Sequence, residues 1–203
     1  MFHKFKTSVM LGLLAGLISG CASFSTFQTP VPLKENEAMF GLGVSGFVSP
    51  DGSAFGITDI YGRMGLSDRM DIGLKAFGIP LGFLGGIMLD GKYALVPGNT
   101  TVAFDFGISY FAIEDARLTG FYPSLLIGND RFFGGLKLIY LYASQGINLF
   151  DAEPIGQAEL IPGGVLGLAV GRKNKMMLEV NFYRFPEGDL VMFPGIGFQL
   201  RFK

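Results

Sequence analysis

Large apolar residues alternate with small or polar residues along most of the chain after residue 37. Between residues 101 and 110, for example, Phe104, Phe106 and Ile108 share one side of an extended segment, whereas Asp105 and Gly107 fall on the other. A period of two places successive side chains on opposite faces of a β-strand. Clusters of Gly, Pro, Asn, Asp and Ser interrupt the alternation, as turns do. The pattern predicts an all-β fold, and no stretch after residue 21 has helical periodicity.

These segments predict ten strands, and most have the 9–11 residues or so that a tilted strand needs to cross a bilayer. They cover residues 38–48, 57–66, 70–77, 87–96, 100–113, 121–127, 132–143, 158–170, 176–185 and 191–202. The third and sixth segments are the weakest, so an eight-strand barrel is the alternative. An antiparallel up-and-down transmembrane β-barrel has short periplasmic turns and longer extracellular loops. Tight turns near Asp68, Gly98, Asn129 and Asn174 would then be periplasmic. The connections around Asp51, Pro80, Ala116, Phe150 and Glu187 would be extracellular, and the longest of them covers residues 144–156.

Charged residues within the predicted strands fall on the face opposite the large apolar side chains. A Lys or Arg that faced lipid at the middle of a bilayer would cost about 2–4 kcal/mol. In a membrane barrel these side chains must therefore point into the lumen, where acids and bases can form ion pairs. The predicted lumenal charge network consists of Asp59, Arg63, Asp71, Lys75, Asp90, Lys92, Asp105, Lys137, Glu159, Glu179 and Arg201.

Composition supports a membrane barrel over a soluble one. The chain has 203 residues, of which 49% are hydrophobic and 16% are charged, whereas soluble domains average about 25% charged residues. The soluble alternative is a lipocalin-like barrel with its apolar face inward, and its surface would carry too few charges. The net charge of −1 gives no electrostatic footprint for nucleic acid.

The sequence offers little for catalysis. The sole histidine, His3, lies in the N-terminal stretch, and the sole cysteine is Cys21. The rest of the chain therefore lacks the usual general base at neutral pH and a thiol nucleophile, and it lacks a His/Cys metal site. Carboxylate pairs such as Asp59 with Asp71, or Glu159 with Glu179, are better explained as partners in ion pairs. We predict no catalytic residues, no metal and no cofactor.

The N-terminus has the features of a secretory signal, with a basic start (residues 1–6) and an apolar stretch (residues 9–18). The following Ile18-Ser19-Gly20-Cys21 is similar to the lipobox of bacterial lipoproteins. This resemblance implies cleavage before Cys21, a diacylglycerol on its sulfur, and an acyl chain such as palmitate on the new amino terminus. An ordinary signal peptide is the alternative. The predicted organisation is a lipoprotein signal peptide (1–20), a lipidated N-terminus and linker (21–37), and a β-barrel (38–203).

The C-terminal residues Gly197, Leu200 and Phe202 resemble the assembly signal of bacterial outer-membrane barrels, although Lys203 follows the usual final aromatic residue. With the lipobox and a hairpin at residues 65–73, the layout resembles small outer-membrane β-barrel proteins of Gram-negative bacteria that carry a lipoprotein signal. The resemblance implies the cell outer membrane, with a lipid anchor at its periplasmic face. Implied partners are outer-membrane lipid, the barrel-assembly machinery and the lipoprotein-sorting machinery. The resemblance identifies no ligand.

A barrel of eight to ten strands is only just wide enough for its side chains to fill. We therefore expect a structural or surface-interaction role without catalysis. The second hypothesis is a narrow channel or conduit for small or apolar solutes. The third is a lipid-anchored binding barrel in the periplasm.

Overall fold

A computed structural model describes residues 25–48, 54–78, 85–113, 116–145, 153–154, 158–185 and 190–203. Its strands are β1 (Ala38–Val48), β2 (Ala54–Ser67), β3 (Met70–Gly78), β4 (Gly85–Val96), β5 (Thr101–Ile113), β6 (Ala116–Gly128), β7 (Phe132–Gln145), β8 (Glu153–Pro154), β9 (Glu159–Val170), β10 (Lys175–Arg184) and β11 (Leu190–Phe202). All of them belong to one sheet with antiparallel pairing. The prediction of an all-β fold is confirmed.

Ten of these strands form a closed up-and-down barrel. Neighbours along the chain pair from β1 to β7 and from β9 to β11, β7 pairs with β9, and β1 pairs with β11 to complete the wall. The two-residue β8 pairs only with the end of β7, at Ser144 and Gln145. The two weakest predicted segments are β3 and β6, and both are paired along their length. The count of ten is therefore confirmed, and the eight-strand alternative is wrong.

Strand β6 begins earlier than predicted, at Ala116 instead of residue 121. The predicted connection around Ala116 is therefore shorter than expected, because residues 116–120 continue the ladder with β5, where Gly120 is opposite Ser109. A glycine within a strand can mark a place where a neighbouring side chain needs room. Here a side chain at Gly120 would meet the Tyr122 hydroxyl at 2.5 Å.

The two ends of the barrel differ. The short connections 68–69, 97–100, 129–131 and 171–174 lie at the end where β1 begins and β11 finishes, and we call this end the turn rim. All four predicted tight turns are there. Gly171, with φ of 122°, takes a backbone conformation that only glycine adopts readily. The opposite end is the loop rim; the predicted connections around Asp51, Pro80, Phe150 and Glu187 lie outside the described residues.

The wall is apolar outside and charged inside. Phe104, Phe106 and Ile108 of β5 are 38–44% exposed, whereas Asp105 between them is 3% exposed. This orientation is the reverse of the lipocalin-like alternative. Near the loop rim the interior is filled by an apolar cluster: Ile57, Phe77, Met88, Phe111, Tyr122, Ile139, Leu141, Ile161, Tyr183 and Phe193. The charged residues concentrate between this cluster and the turn rim.

Within the described residues, no helix is both long and apolar enough to cross a membrane.

Candidate functional site

Residues 25–33, which we call the lumenal segment, run inside the barrel. The segment precedes β1 in the sequence. Followed backwards from the start of β1 at the turn rim, where Asn36 N donates to Gly65 O at 3.2 Å, the chain enters the lumen. At the far end Ser25 Oγ donates to Asp59 Oδ2 at 2.5 Å. Every residue of the segment is buried except Val31, which is half-buried. The sequence indicated only a linker here, because the segment lacks the periodicity from which the strands were predicted.

Glu179 of β10 holds the centre of the lumenal segment by its main chain. Thr26 N donates to Glu179 Oε1 at 2.7 Å, and Phe27 N donates to Glu179 Oε2 at 2.8 Å. Asn181 Nδ2 donates to Oε1 as well, at 2.8 Å. Hydrogen bonds to a carboxylate are roughly twice as strong as neutral ones. A single buried side chain therefore fixes two successive peptide units.

The phenyl ring of Phe27 fills a pocket that glycines create in the wall. A methyl group at Gly43 would overlap the ring, and methyl groups at Gly195 and Gly197 would lie 3.0 and 2.8 Å from it. On another side the ring stacks on Tyr61, with centroids 6.0 Å apart and planes inclined by 11°. Phe27 is completely buried. These inward-facing glycines on β1 and β11 thus provide the volume that an aromatic side chain needs.

Three lysines and an aspartate bind the rest of the segment. Lys75 Nζ donates to Ser25 O at 2.6 Å, and Lys92 Nζ donates to Thr29 O at 2.8 Å. Lys137 Nζ also donates to Thr26 Oγ1 at 3.0 Å, and Gln28 Nε2 donates to Asp105 Oδ2 at 2.7 Å. Burying such charges is costly unless they have close polar partners. The segment supplies those partners.

Arg63 of β2 is the centre of a second cluster. Its Nε and Nη2 donate to Asp71 Oδ1 at 3.1 and 2.5 Å, and its Nη1 donates to Asp90. Lys92 Nζ lies 3.3 Å from Asp71 Oδ2, which also accepts Leu33 N at 2.9 Å. Gly73 leaves the space for this cluster, because a methyl group there would lie 2.7 Å from Arg63 Nη1.

A third group of charges lies at the turn rim. Lys175 Nζ is 2.6 Å from Asp130 Oδ1, and Arg201 Nη2 is 3.5 Å from the same oxygen. Burial by itself would raise the pKa of Asp130, but the hydrogen bond and charge of Lys175, with the charge of Arg201, outweigh it and hold that pKa below its usual value. Since Asp130 lies in a turn, outside the strands, its carboxylate is open to solvent on one side.

Most members of the predicted charge network lie together inside the barrel. Buried members are Asp59, Arg63, Asp71, Lys75, Lys92, Asp105, Lys137 and Glu179. Asp90, Glu159 and Arg201 are half-buried. Of the predicted assembly signal, Gly197 faces the Phe27 ring, while Leu200 and Phe202 are exposed on the outer face. Cys21 lies outside the described residues.

Three functional residues of the lumen are absent from the predicted network. Lys175 and Asp130 were assigned to turns, because each follows a run of turn-forming residues, but their side chains pair at the turn rim. Gln199 lies on the predicted inward face, yet its role depends on the segment: its Nε2 donates to Phe27 O at 2.5 Å. A signal was present for Phe27, since a large aromatic residue is unusual in a polar linker.

Little space remains in the polar half of the lumen. One cavity of about 20 Å³ borders Gln28 and Asp105, and another of about 10 Å³ borders Leu33 and Arg63. A water molecule needs about 10–15 Å³ by this measure, so the first cavity has room for one. Gln28 Oε1 and Asp105 Oδ1, both buried, have no other partner within the described chain. Among the described residues, the polar half of the lumen is therefore filled by the segment and by side chains.

The closed wall, apolar exterior and filled charged interior define a small plugged β-barrel. Among solved structures, the chain is similar to Ail, the attachment invasion locus protein of Yersinia pestis, in complex with the heparin analogue sucrose octasulfate. The sequence identity is 12% and the TM-score is 0.33, and the match covers 83% of this chain and 99% of Ail. It is also similar to the N-terminal β-barrel domain of OprF from Pseudomonas aeruginosa, with 11% identity, a TM-score of 0.35, and coverage of 83% and 100%. No protein-family model and no curated protein matches the chain. The fold assignment accordingly rests on the strand pairing of this chain itself.

Proposed function

We propose that this protein is a non-catalytic barrel of the Gram-negative outer membrane with a structural or surface-interaction role. The observation that carries the proposal is the distribution of charge across the wall. On β5 the exposed side is formed by Phe104, Phe106 and Ile108, and the buried side includes Asp105. Such an exterior suits hydrocarbon, whereas charged side chains facing lipid at mid-bilayer are costly.

The filled lumen supports a role at the surface instead of in transport or catalysis. An enzyme would need a cleft that holds its substrate among reactive groups. Here the buried charges of the polar half are engaged with each other and with the lumenal segment. Contacts with partners would then be made by connections at the loop rim, above all residues 144–156, most of which lie outside the described residues.

We also propose that Cys21 carries the lipid and that Gly197, Leu200 and Phe202 are read during barrel assembly. Leu200 and Phe202 are exposed on the outer face of the last strand, where assembly factors could reach them. The proposed partners are outer-membrane lipid, the barrel-assembly machinery and the lipoprotein-sorting machinery.

The proposed lipid anchor imposes a condition on the lumenal segment. Ser25 contacts Asp59, which is eight residues from Ser67 at the turn rim. At about 3.3 Å per residue and a strand tilt of about 40°, Ser25 lies roughly 20 Å from that rim. The four residues from Ser25 back to Cys21 span at most about 14 Å. A lipid in the periplasmic leaflet therefore requires the segment to leave the lumen, so the anchored and plugged forms would be two separate states.

Membrane fractionation with surface proteolysis tests the proposal. We expect the protein in the outer-membrane fraction, with heat-modifiable gel mobility, and cleavage of residues 144–156 by protease added to intact cells. Mass spectrometry of the N-terminal peptide tests the lipid on Cys21. A C21A variant that is soluble and monomeric without detergent would overturn the membrane assignment and favour the periplasmic binding barrel.

A narrow channel is the second candidate, and the attachment of the segment favours it. Residues 34–36, which join the segment to β1, are exposed at the turn rim, so the segment could move without breaking the wall. Planar bilayer recordings distinguish the two candidates. The structural role predicts no steady current from the plugged barrel. Discrete currents that change when Lys75 or Asp105 is neutralised would support the channel.

A further inference from the structure

We propose that the polar half of the lumen is a recognition site for an uncharged peptide, and that it accepts such a peptide from outside whenever its own segment leaves. The proposal does not depend on the membrane role, because it requires only the closed wall of the barrel and the contacts inside it. Its basis is the way in which the wall contacts residues 25–33.

Most of these contacts go to the main chain. Wall carboxylates accept three N–H groups, and wall lysine or glutamine side chains donate to three carbonyls. The N–H groups belong to Thr26, Phe27 and Leu33, and the carbonyls to Ser25, Phe27 and Thr29. Every residue except proline has both groups. Recognition by the main chain therefore depends on the path of the backbone through the site more than on the exact sequence.

One side chain supplies the largest part of the sequence preference. Phe27 is the large aromatic residue of the segment, and its ring occupies the pocket between Gly43, Gly195, Gly197 and Tyr61. A buried phenyl ring contributes more than any other side chain in this segment to the area removed from water. The preferred ligand is thus a peptide with one phenylalanine flanked by small polar residues. The segment itself, Ser-Thr-Phe-Gln-Thr-Pro-Val-Pro-Leu, has no charged residue.

The backbone of Phe27 indicates that the site imposes its shape on the segment. Phe27 has φ of 45°, a conformation that costs a bulky residue about 1–3 kcal/mol and persists only where the surroundings enforce it. In this conformation Thr26 N and Phe27 N both point at Glu179, as successive N–H groups do around a bound anion. The contacts with Glu179 thus hold Phe27 in a strained conformation, as a binding site can do with a bound ligand.

Cleavage of the full folded chain tests the proposal. A protease recognition sequence is inserted in the exposed turn at residues 34–36, and the protein is folded in detergent micelles and cut. A fluorescent synthetic peptide of residues 25–33 is then added. We expect one peptide to bind per barrel as the cut segment leaves. A peptide with F27A should bind at least about tenfold more weakly, since burial of a phenyl ring is worth more than about 1.4 kcal/mol.

Two variants of the wall provide the matched comparison. In G43V the new side chain would overlap the Phe27 ring, whereas an added Cβ at Gly91 meets nothing within 4 Å. We expect G43V to abolish peptide binding and G91V to leave it unchanged. The uncut F27A chain, which loses the ring but keeps a residue for which this φ is strained, should take up the peptide more readily than the uncut original chain and needs no inserted sequence.

Three results would overturn the proposal. The first is a cut barrel that loses its segment but takes up no peptide. The second is a cut segment that never exchanges, even on prolonged warming. The third is equal binding of the original and F27A peptides. None of these outcomes depends on lipidation or on cellular location, so they are distinguishable from a failure of the proposed function.

Discussion

Gln199 donates its side-chain amide to the carbonyl oxygen of Phe27 at 2.5 Å, although the two residues are 172 positions apart in the sequence. The bond joins the last strand to the segment that precedes the first. Both groups are buried, so neither can exchange this bond for one with bulk water.

Replacing Gln199 should therefore destabilise the plugged barrel. We expect Q199L to lower the free energy of unfolding by about 1–3 kcal/mol, because it leaves a buried carbonyl without its partner. Q199E should cost more, since it places a second acceptor against that carbonyl. Urea titration in lipid vesicles measures both effects. The outward-facing F198L is the control, with an expected change below about 1 kcal/mol; a Q199E protein as stable as the original would contradict the prediction.

Removal of Arg63 should have a larger effect. Asp71 and Asp90 both accept hydrogen bonds from its guanidinium group, so R63Q leaves two buried or half-buried carboxylates without that cation. Breaking a buried pair in this way costs about 3–5 kcal/mol. R63K should recover only part of the loss, because an ammonium group lacks the planar fork that reaches both acids.

The same unfolding titration checks this prediction. R69Q is the matched control, because Arg69 is an exposed residue of a turn-rim connection and its loss should change stability by less than about 0.5 kcal/mol. Equal effects of R63Q and R69Q would show that the cluster contributes nothing to stability.

An arginine scan of the outer face of β4 tests whether the wall contacts lipid. Leu89 lies near the middle of the strand and Val96 at its turn-rim end, and both are more than half exposed. In a bilayer, L89R should cost about 2–4 kcal/mol and V96R about 0–1 kcal/mol. A soluble barrel would tolerate both substitutions, since both side chains would face water. Folding yield into vesicles and urea stability give the measurement, and equal tolerance would contradict the membrane assignment.

The turn-rim cluster should make stability depend on acidic pH. Because the folded protein holds the pKa of Asp130 below its usual value, ionised Asp130 favours folding. That contribution is complete above the ordinary aspartate pKa of about 3.9 and is lost as the pH falls through the lowered value. Asp130 is half exposed, so the effect should be modest.

Thermal unfolding measured between pH 2 and 7 checks the direction. D130N should be less stable than the original at neutral pH, and the difference should shrink as the pH falls. K175M should reduce the same pH dependence, because Lys175 is the main group that lowers this pKa. A difference that grows towards low pH would contradict the assignment.

The alternation of residues predicted the wall of the barrel well. Phe104 and Asp105 were assigned to opposite faces from their spacing alone, since the period of a strand is fixed by backbone geometry. The ten strands followed from the same rule. The start of β6 was misplaced because residues 116–120 are held in the strand by their pairing with β5, a contact that the local pattern does not show.

The contents of the lumen were harder to predict. Residues 25–33 have no period, and two prolines suggested an exposed linker. Their position depends on partners distant in the sequence, such as Glu179, which is 153 residues from Thr26. A local sequence pattern carries no information about contacts between residues so far apart in the sequence. Gly43, Gly195 and Gly197 face inward where β1 pairs with β11, and together they leave room for an aromatic ring. The sequence alone does not identify Phe27 as the residue whose ring fills that room.

The pairing of β1 with β11 also determines when the barrel can fold. The seam extends from Ala38 opposite Phe202 to Ser45 opposite Gly195, so it cannot form until the last strand has been synthesised. The Phe27 ring packs against Gly43 of β1 and against Gly195 and Gly197 of β11, so its pocket is complete only when this seam has closed. We expect enclosure of the segment to accompany the final step of folding. Substitutions at Phe27 should therefore slow refolding as well as change equilibrium stability, because the ring is in place when the first and last strands meet.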